Sequence, residues 1–127
     1  MPMTDFQRFP DAIAPVWQNN LRSAGMTPCI FLEGPQWGDY EGWLVVGLMG
    51  GQTTRPGEQN LVLLEISDEG NLLSVAYPTA IPNGRYRSLL MAPSGNLLVV
   101  EQQRSGVALP DNRPNIREVT PAQLLQF

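Results

Sequence analysis

The chain is divided into short apolar runs by turns rich in glycine and proline, and this spacing constrains its fold more than any other feature. The clearest unit is residues 84–101, GRYRSLLMAPSGNLLVVE, in which two runs with strand character flank the turn Pro93-Ser94-Gly95. Proline presets φ, serine forms local hydrogen bonds and glycine tolerates positive φ, so this triplet is typical of a tight turn. The stretch is therefore predicted to be a β-hairpin.

The other apolar runs are similarly short, and none has the length and period of a long helix. Twelve glycines and twelve prolines in 127 residues fit a chain with many turns. Strands at this spacing are typical of an all-β sandwich, barrel or propeller. The predicted strands are residues 14–18, 28–33, 43–49, 61–67, 72–77, 86–92, 96–101 and 115–120.

One internal similarity narrows this choice. A strand and a turn followed by Gly-Asn-Leu-Leu occur twice, in EISDEGNLLSV at residues 65–75 and in MAPSGNLLVV at residues 91–100. A recurring supersecondary unit is typical of repeat folds such as propellers. The alternative is a pair of unrelated hairpins, because Gly and Asn are common in such turns.

Composition excludes several classes of function. The chain has no histidine and no lysine, so it contains no Ser-His-Asp triad, histidine metal site, Schiff-base lysine or P-loop. A formal net charge of -4 argues against a nucleic-acid partner. The apolar runs are too short to cross a bilayer, and the N-terminus lacks the pattern of a signal peptide. From these features we expect a soluble protein without a membrane partner. Without a signal peptide, the sequence predicts a cytoplasmic location.

Arg85 and Arg87 form the first candidate site. Residues i and i+2 of an extended strand point to the same face, so both guanidinium groups are expected on one side at the start of a strand. Guanidinium groups bind carboxylates in a bidentate way, so the pair predicts a site for an anionic ligand. The alternative is that one arginine pairs with a nearby acid and the other is solvated.

The aromatic loop at residues 34–42 is the second candidate site. Its Trp37, Asp39 and Tyr40 combine aromatic faces with a carboxylate, as sugar-binding sites do. The alternative is that Trp37 and Tyr40 cover the core. No metal site is predicted, and the lone Cys29, which lies in an apolar run, is predicted to be a buried thiol.

The long polar stretch at residues 104–117 is the third candidate, because long loops between strands often carry function. It contains Arg104, Asp111, Arg113 and Arg117. The alternative is a plain connection between strands.

The predicted hairpin resembles part of a known family. Residues 84–101 look like the closing blade of the glucose/sorbosone dehydrogenases, soluble sugar dehydrogenases that use pyrroloquinoline quinone (PQQ) on a six-bladed β-propeller. The corresponding family segment has an Arg-x-Arg pair, a short apolar strand, a turn such as Pro-Asp-Gly and a second strand. Residues 25–52 resemble the preceding blade, residues 61–75 and 115–120 resemble further strands, and the similarity covers residues 14–122.

The resemblance implies an all-β chain with an N-terminal arm at residues 1–13, two propeller-like β blades at residues 14–122 and a tail at residues 123–127. Two blades do not close a propeller, so three chains forming one six-bladed ring, a homotrimer, are expected. The alternative is a two-layer sandwich that buries the two blades against each other within a monomer or dimer. The resemblance also implies that Arg85 and Arg87 bind PQQ in the shared central channel. It implies a periplasmic location.

The chain departs from the family at functional positions. The family's catalytic histidine lies in an earlier blade, and Gly50 stands where the family often has a basic residue before Gly-Gln. Hydride transfer from a sugar needs a general base. We therefore expect a non-catalytic protein that binds an anionic or sugar-like small molecule. The alternatives are a fragment of a PQQ-dependent sugar dehydrogenase and a purely structural or interaction module.

Overall fold

The computed structural model describes residues 7–17, 25–48, 60–103 and 107–127. In these ranges the chain forms seven antiparallel strands, two short 3-10 helices and one helical turn, so the all-β prediction is confirmed. The strands are β1 (Met26–Phe31), β2 (Leu44–Leu48), β3 (Leu61–Ile66), β4 (Leu72–Ala76), β5 (Tyr86–Met91), β6 (Leu97–Glu101) and β7 (Ile116–Val119). The 3-10 helices are Pro35–Tyr40 and Pro110–Asn112, and helix α1 is Pro121–Leu124.

The strands form two sheets in which neighbours in sequence are neighbours in space. Sheet A has the order β1-β2-β3-β4, and sheet B has the order β5-β6-β7. Tight turns permit this order, since Gly70 between β3 and β4 and Gly95 between β5 and β6 both have φ 86°. Both copies of Gly-Asn-Leu-Leu therefore lie where the second strand of a hairpin begins.

The main hydrophobic core lies between the two sheets. Directly paired residues of antiparallel strands share a face, and the pairs Leu89↔Val99 and Val45↔Leu63 point into this core from opposite sheets. Burial of these aliphatic side chains is the main favourable contribution to folding. The buried members of the core are Leu32, Trp37, Val45, Leu61, Leu63, Ile81, Tyr86, Leu89, Leu97, Val99, Val119 and Leu124.

The outer faces of the two sheets differ. On sheet A the outward residues form a second cluster, which packs against Trp17 of the N-terminal segment. The buried members of this cluster are Val46, Leu48, Val62 and Leu64. On the outer face of sheet B, Leu90 is 52% exposed and Ile116 is 62% exposed.

Two predictions about local structure were wrong. Residues 14–17 form no strand, because Trp17 packs its ring on sheet A while the backbone stays unpaired; Gln18 lies outside the described residues. Cys29 is exposed, not buried. It is paired with Val46 on the outer face, but β1 is an edge strand and leaves that position open.

The other seven predicted strands are confirmed, with ends that differ from the prediction by at most two residues. Within the described ranges, none of the helices has the length and apolar character needed to cross a membrane.

Candidate functional site at the start of β5

A β-bulge shapes the strand that carries the arginine pair. Tyr86 pairs with Glu101 and Ser88 pairs with Val100, so Arg87 is the extra residue on β5. Pairing continues past the bulge, because the carbonyl of Arg85 accepts a hydrogen bond of 2.7 Å from the backbone N–H of Gln102. Bulges redirect side chains and often lie beside functional sites.

Tyr86 anchors this part of the strand in the core. Its side chain is fully buried, whereas Arg85 and Arg87 on either side are exposed. The Tyr86 hydroxyl donates to the carbonyl of Pro82 and accepts a hydrogen bond of 3.3 Å from Nη2 of Arg117. Burial, helped by the Glu101 carboxylate, raises the pKa of Tyr86 to about 12. Tyr86 is therefore a neutral hydrogen-bond donor that fixes the backbone between the two arginines.

Glu101 is the centre of the buried polar cluster beneath the arginine pair. Its side chain is 2% exposed, and Arg113 binds both of its oxygens, with Nη2–Oε1 at 2.7 Å and Nε–Oε2 at 2.9 Å. Arg117 adds a third contact, with Nη1–Oε2 at 2.8 Å. Burial alone would raise the pKa of Glu101, but the hydrogen bonds from Arg113 and Arg117 outweigh it and lower that pKa. The hydrogen bond with Glu101 in turn raises the pKa of Arg113.

The segment before Arg85 is held by contacts from both sheets. A Cβ atom on Gly84 would collide with Oε1 of Glu101, so a larger residue here would force the Glu101 side chain to move. The side-chain amide of Asn60 donates to the carbonyl of Gly84 at 2.5 Å, and the backbone N–H of Asn60 donates to Oδ1 of Asn83 at 3.0 Å. Nη2 of Arg113 donates to the carbonyl of Asn83 at 3.2 Å. The backbone of residues 83–87 at the start of β5 is therefore held in place, and we call it the platform.

Arg85 and Arg87 are left exposed on this platform. Across the described ranges, neither guanidinium group contacts a carboxylate. Glu101, the acid nearest in register, is fully occupied by Arg113 and Arg117. The alternative in which a nearby acid neutralises one member of the pair is thus not found among the described residues.

Trp37 is placed at the opposite end of the same hairpin. It is 1% exposed, and its indole N–H donates to the carbonyl of Gly95 at 3.0 Å. A buried ring offers no face to a sugar, so this geometry favours the alternative that Trp37 covers the core.

Tyr40 and Asp39 do not join Trp37 in an open site. Tyr40 is half-buried between two aromatic rings, with centroid distances of 4.6 Å to Trp43 and 5.4 Å to Phe127. Asp39 is exposed. The aromatic loop and the arginine pair also lie at opposite ends of β5, so the two predicted sites do not form one pocket.

The cluster around Glu101 was missed by the sequence reasoning, although Arg113 and Arg117 were noted in the third candidate stretch. The usable signal lies in β6, where the core-facing positions are Leu97, Val99 and Glu101. A carboxylate that continues an inward-facing apolar row requires a cationic partner, because an unpaired buried charge is very costly.

In the described ranges, no group of three or more acidic or cysteine side chains is arranged to hold a metal ion. Gly50, the other position compared with the dehydrogenase family, lies outside the described residues. Comparison of the chain with models of known protein families and with curated proteins found no match.

Proposed function

We propose that this protein is a non-catalytic binding module whose Arg85 and Arg87 hold a small molecule bearing carboxylates. A contrast between two pairs of arginines carries the proposal. Arg113 and Arg117 are both bound to the buried Glu101. Arg85 and Arg87 are exposed on a fixed strand and contact no acid in the described part of the chain. Two guanidinium groups that lie two residues apart in sequence suit a ligand with two or three carboxylates.

The rigidity of the platform supports a binding role. The bulge at Arg87, the buried hydroxyl of Tyr86 and the contacts on Gly84 fix the backbone that presents both arginines. Binding to a fixed backbone avoids the entropy loss of ordering a loop. An arginine pair on a mobile segment would lack this advantage.

PQQ is the ligand that the sequence resemblance suggests, and its three carboxylates suit the arginine pair. The residues beneath the pair suit catalysis poorly. Tyr86 has a pKa of about 12, and the Glu101 carboxylate is bound by two arginines. Neither is a free general base for sugar oxidation. A working PQQ-dependent dehydrogenase is therefore the weaker candidate.

We further propose that sheets A and B are propeller-type blades. Each is an up-and-down antiparallel sheet, they pack face to face, and β5 lies beside β1 and β2. The resemblance predicts a ring of three chains with six blades. Such a ring needs an open outer face on both sheets, whereas Trp17 packs against the buried cluster on the outer face of sheet A. The ring stays a prediction.

Isothermal titration calorimetry with PQQ and with citrate tests the binding proposal. The double variant Arg85→Gln/Arg87→Gln should weaken binding at least about tenfold, since two charge-assisted contacts are lost. Arg8→Gln, which removes an arginine from the N-terminal segment, is the control and should bind like the parent protein. Absence of heat with both ligands, or equal affinity in the double variant, would refute the proposal.

A further inference from the structure

The outer face of sheet B has an apolar centre that no described residue covers, with Leu90 52% and Ile116 62% exposed. Leu90 pairs with Leu98 in one row across the strands, and Ser88, Val100 and Ile116 form the next row. Directly paired residues share a face, so these side chains lie together on the side away from the core. Leu98 and Val100 on the central strand are half-buried.

The same positions on sheet A are covered. Val46 is 7% exposed and Val62 is 0% exposed on the central strands of that sheet, where Trp17 packs against their cluster. Among the described residues, the exposed apolar side chains of that outer face, such as Phe31 and Val75, lie on its edge strands β1 and β4. Sheet B thus presents the open apolar centre, and open faces of this kind mark interaction sites.

Opposite charges occupy diagonal corners of the open face. Arg85 and Arg87 lie at the start of β5, and Glu118 lies near the end of β7, the other edge strand. Glu118 accepts hydrogen bonds from the Ser94 hydroxyl and, at 2.9 Å, from the side-chain amide of Asn96. These bonds lower the pKa of Glu118, so the corner keeps its negative charge.

We propose that a second copy of the chain docks on this face. The two copies are related by a two-fold axis that lies in the plane of the face, along the diagonal that does not join the charged corners. This operation lays the apolar centre on itself and brings the Arg85–Arg87 corner of each chain over the Glu118 corner of its partner. The strands of the two sheets then cross, which is one of the two usual ways in which sheets pack. The charges make the face complementary to itself, which favours a second copy over an unrelated partner.

The size of the face sets the strength of the contact. The three strands, of six, five and four residues, cover roughly 15 Å by 17 Å. Stable interfaces bury about 800 Å² per partner, which is more than such a face provides. The dimer is therefore weak and concentration-dependent, and salt weakens it further because the corner contacts are exposed.

Sedimentation equilibrium over a range of protein concentrations tests the proposal. The parent protein should approach the mass of two chains as concentration rises. Ile116→Lys, at an exposed position, should weaken association at least about tenfold by placing like charges across the interface. Leu73→Lys is the matched control, since Leu73 is 59% exposed on sheet A and should leave association unchanged. A mass of one chain throughout, a mass of three chains, or unchanged association of Ile116→Lys would overturn the two-fold dimer.

A charge-swap experiment tests whether the arginine corner of one chain meets the Glu118 corner of the other. Glu118→Arg alone and Arg85→Glu/Arg87→Glu alone should each be monomeric, because like charges then meet at both corners. Mixing the two variants should restore association, since both corners become complementary again. Failure to associate on mixing would contradict the proposed pairing. Carboxylate binding by Glu118→Arg, which keeps both binding arginines, shows separately whether the ligand proposal holds.

Discussion

Glu101 and Arg113 form a two-point ion pair beneath the arginine platform, with one guanidinium nitrogen at 2.7 Å and another at 2.9 Å from the two carboxylate oxygens. The pair joins the end of β6 to the segment before β7. The side chain of Arg113 is only 13% exposed and that of Glu101 only 2%. Because both groups are largely removed from water, loss of one partner leaves the other poorly compensated.

Glu101→Gln should destabilise the protein by about 3 kcal/mol, because it leaves the charges of Arg113 and Arg117 unneutralised without changing the side-chain volume. Urea unfolding followed by circular dichroism measures this loss. Glu69→Gln, in the exposed turn after β3, is the control and should stay within about 0.5 kcal/mol of the parent protein. A loss for Glu101→Gln no larger than for the control would show that the ion pair contributes nothing to stability.

Stability should fall in acid, and Glu101 should account for part of the fall. The hydrogen bonds from Arg113 and Arg117 lower the pKa of Glu101 below its usual 4.5 in the folded state. As the pH falls, Glu101 is therefore protonated first in the unfolded chain. Its contribution to the free energy of unfolding is complete above pH 4.5 and decreases as the pH falls below that value. Urea midpoints from pH 7 down to about 3 should decline more steeply for the parent protein than for Glu101→Gln. Parallel slopes would exclude Glu101 as a source of the acid sensitivity.

The raised pKa of Tyr86 predicts a second loss of stability, in alkali. Its pKa rises from 10.0 to about 12 on folding, mainly through burial. Between these two values the unfolded chain has lost the phenolic proton and the folded chain retains it, so the free energy of unfolding decreases as pH rises. The loss begins near pH 10 and should be reduced in Tyr86→Phe, which has no hydroxyl to ionise. Thermal unfolding at several alkaline pH values measures it, and equal pH dependence in both proteins would contradict the prediction.

Local pattern predicted most of the fold because each strand is short and bounded by recognisable turns. Gly70 and Gly95 both adopt the positive φ that their turns require. Strand ends were less predictable, since they depend on the partner strand. Met26 belongs to β1 because it pairs with Leu48 across an irregularity in the register, which no local apolar pattern reveals.

Burial depends on distant partners, and this limited the prediction of the site. The exposure of Cys29 follows from its place on an edge strand, although its neighbours in sequence are apolar. The burial of Trp37 depends on a contact with Gly95, 58 residues further along the chain. The pairing of Glu101 with Arg117 likewise joins residues 16 apart. Arg85 and Arg87 stand out within one strand, but the bulge at Arg87 depends on the pairing with β6, and no local pattern reveals it.

Gly84 tests how tightly the platform is packed against Glu101. Gly84→Ala should cost about 1–3 kcal/mol, since its Cβ collides with the carboxylate and forces the Glu101 side chain to move. A double-mutant cycle with Glu101→Ala isolates this effect from changes in backbone entropy. In the Glu101→Ala background the cost of Gly84→Ala should become small, as measured by urea unfolding. Additive losses in the double variant would show that the collision is not the cause.

Sugar oxidation tests the proposed lack of catalysis. With PQQ, Ca²⁺ and glucose or another aldose, the purified protein should reduce a redox dye no faster than PQQ without protein. The reason is chemical, because the reaction needs a general base and the chain has no histidine. Near the arginine pair, Tyr86 is held neutral and Glu101 is bound by two arginines. Dye reduction that depends on both protein and sugar, and that Arg85→Gln/Arg87→Gln abolishes, would make the protein an enzyme and replace the binding-module proposal.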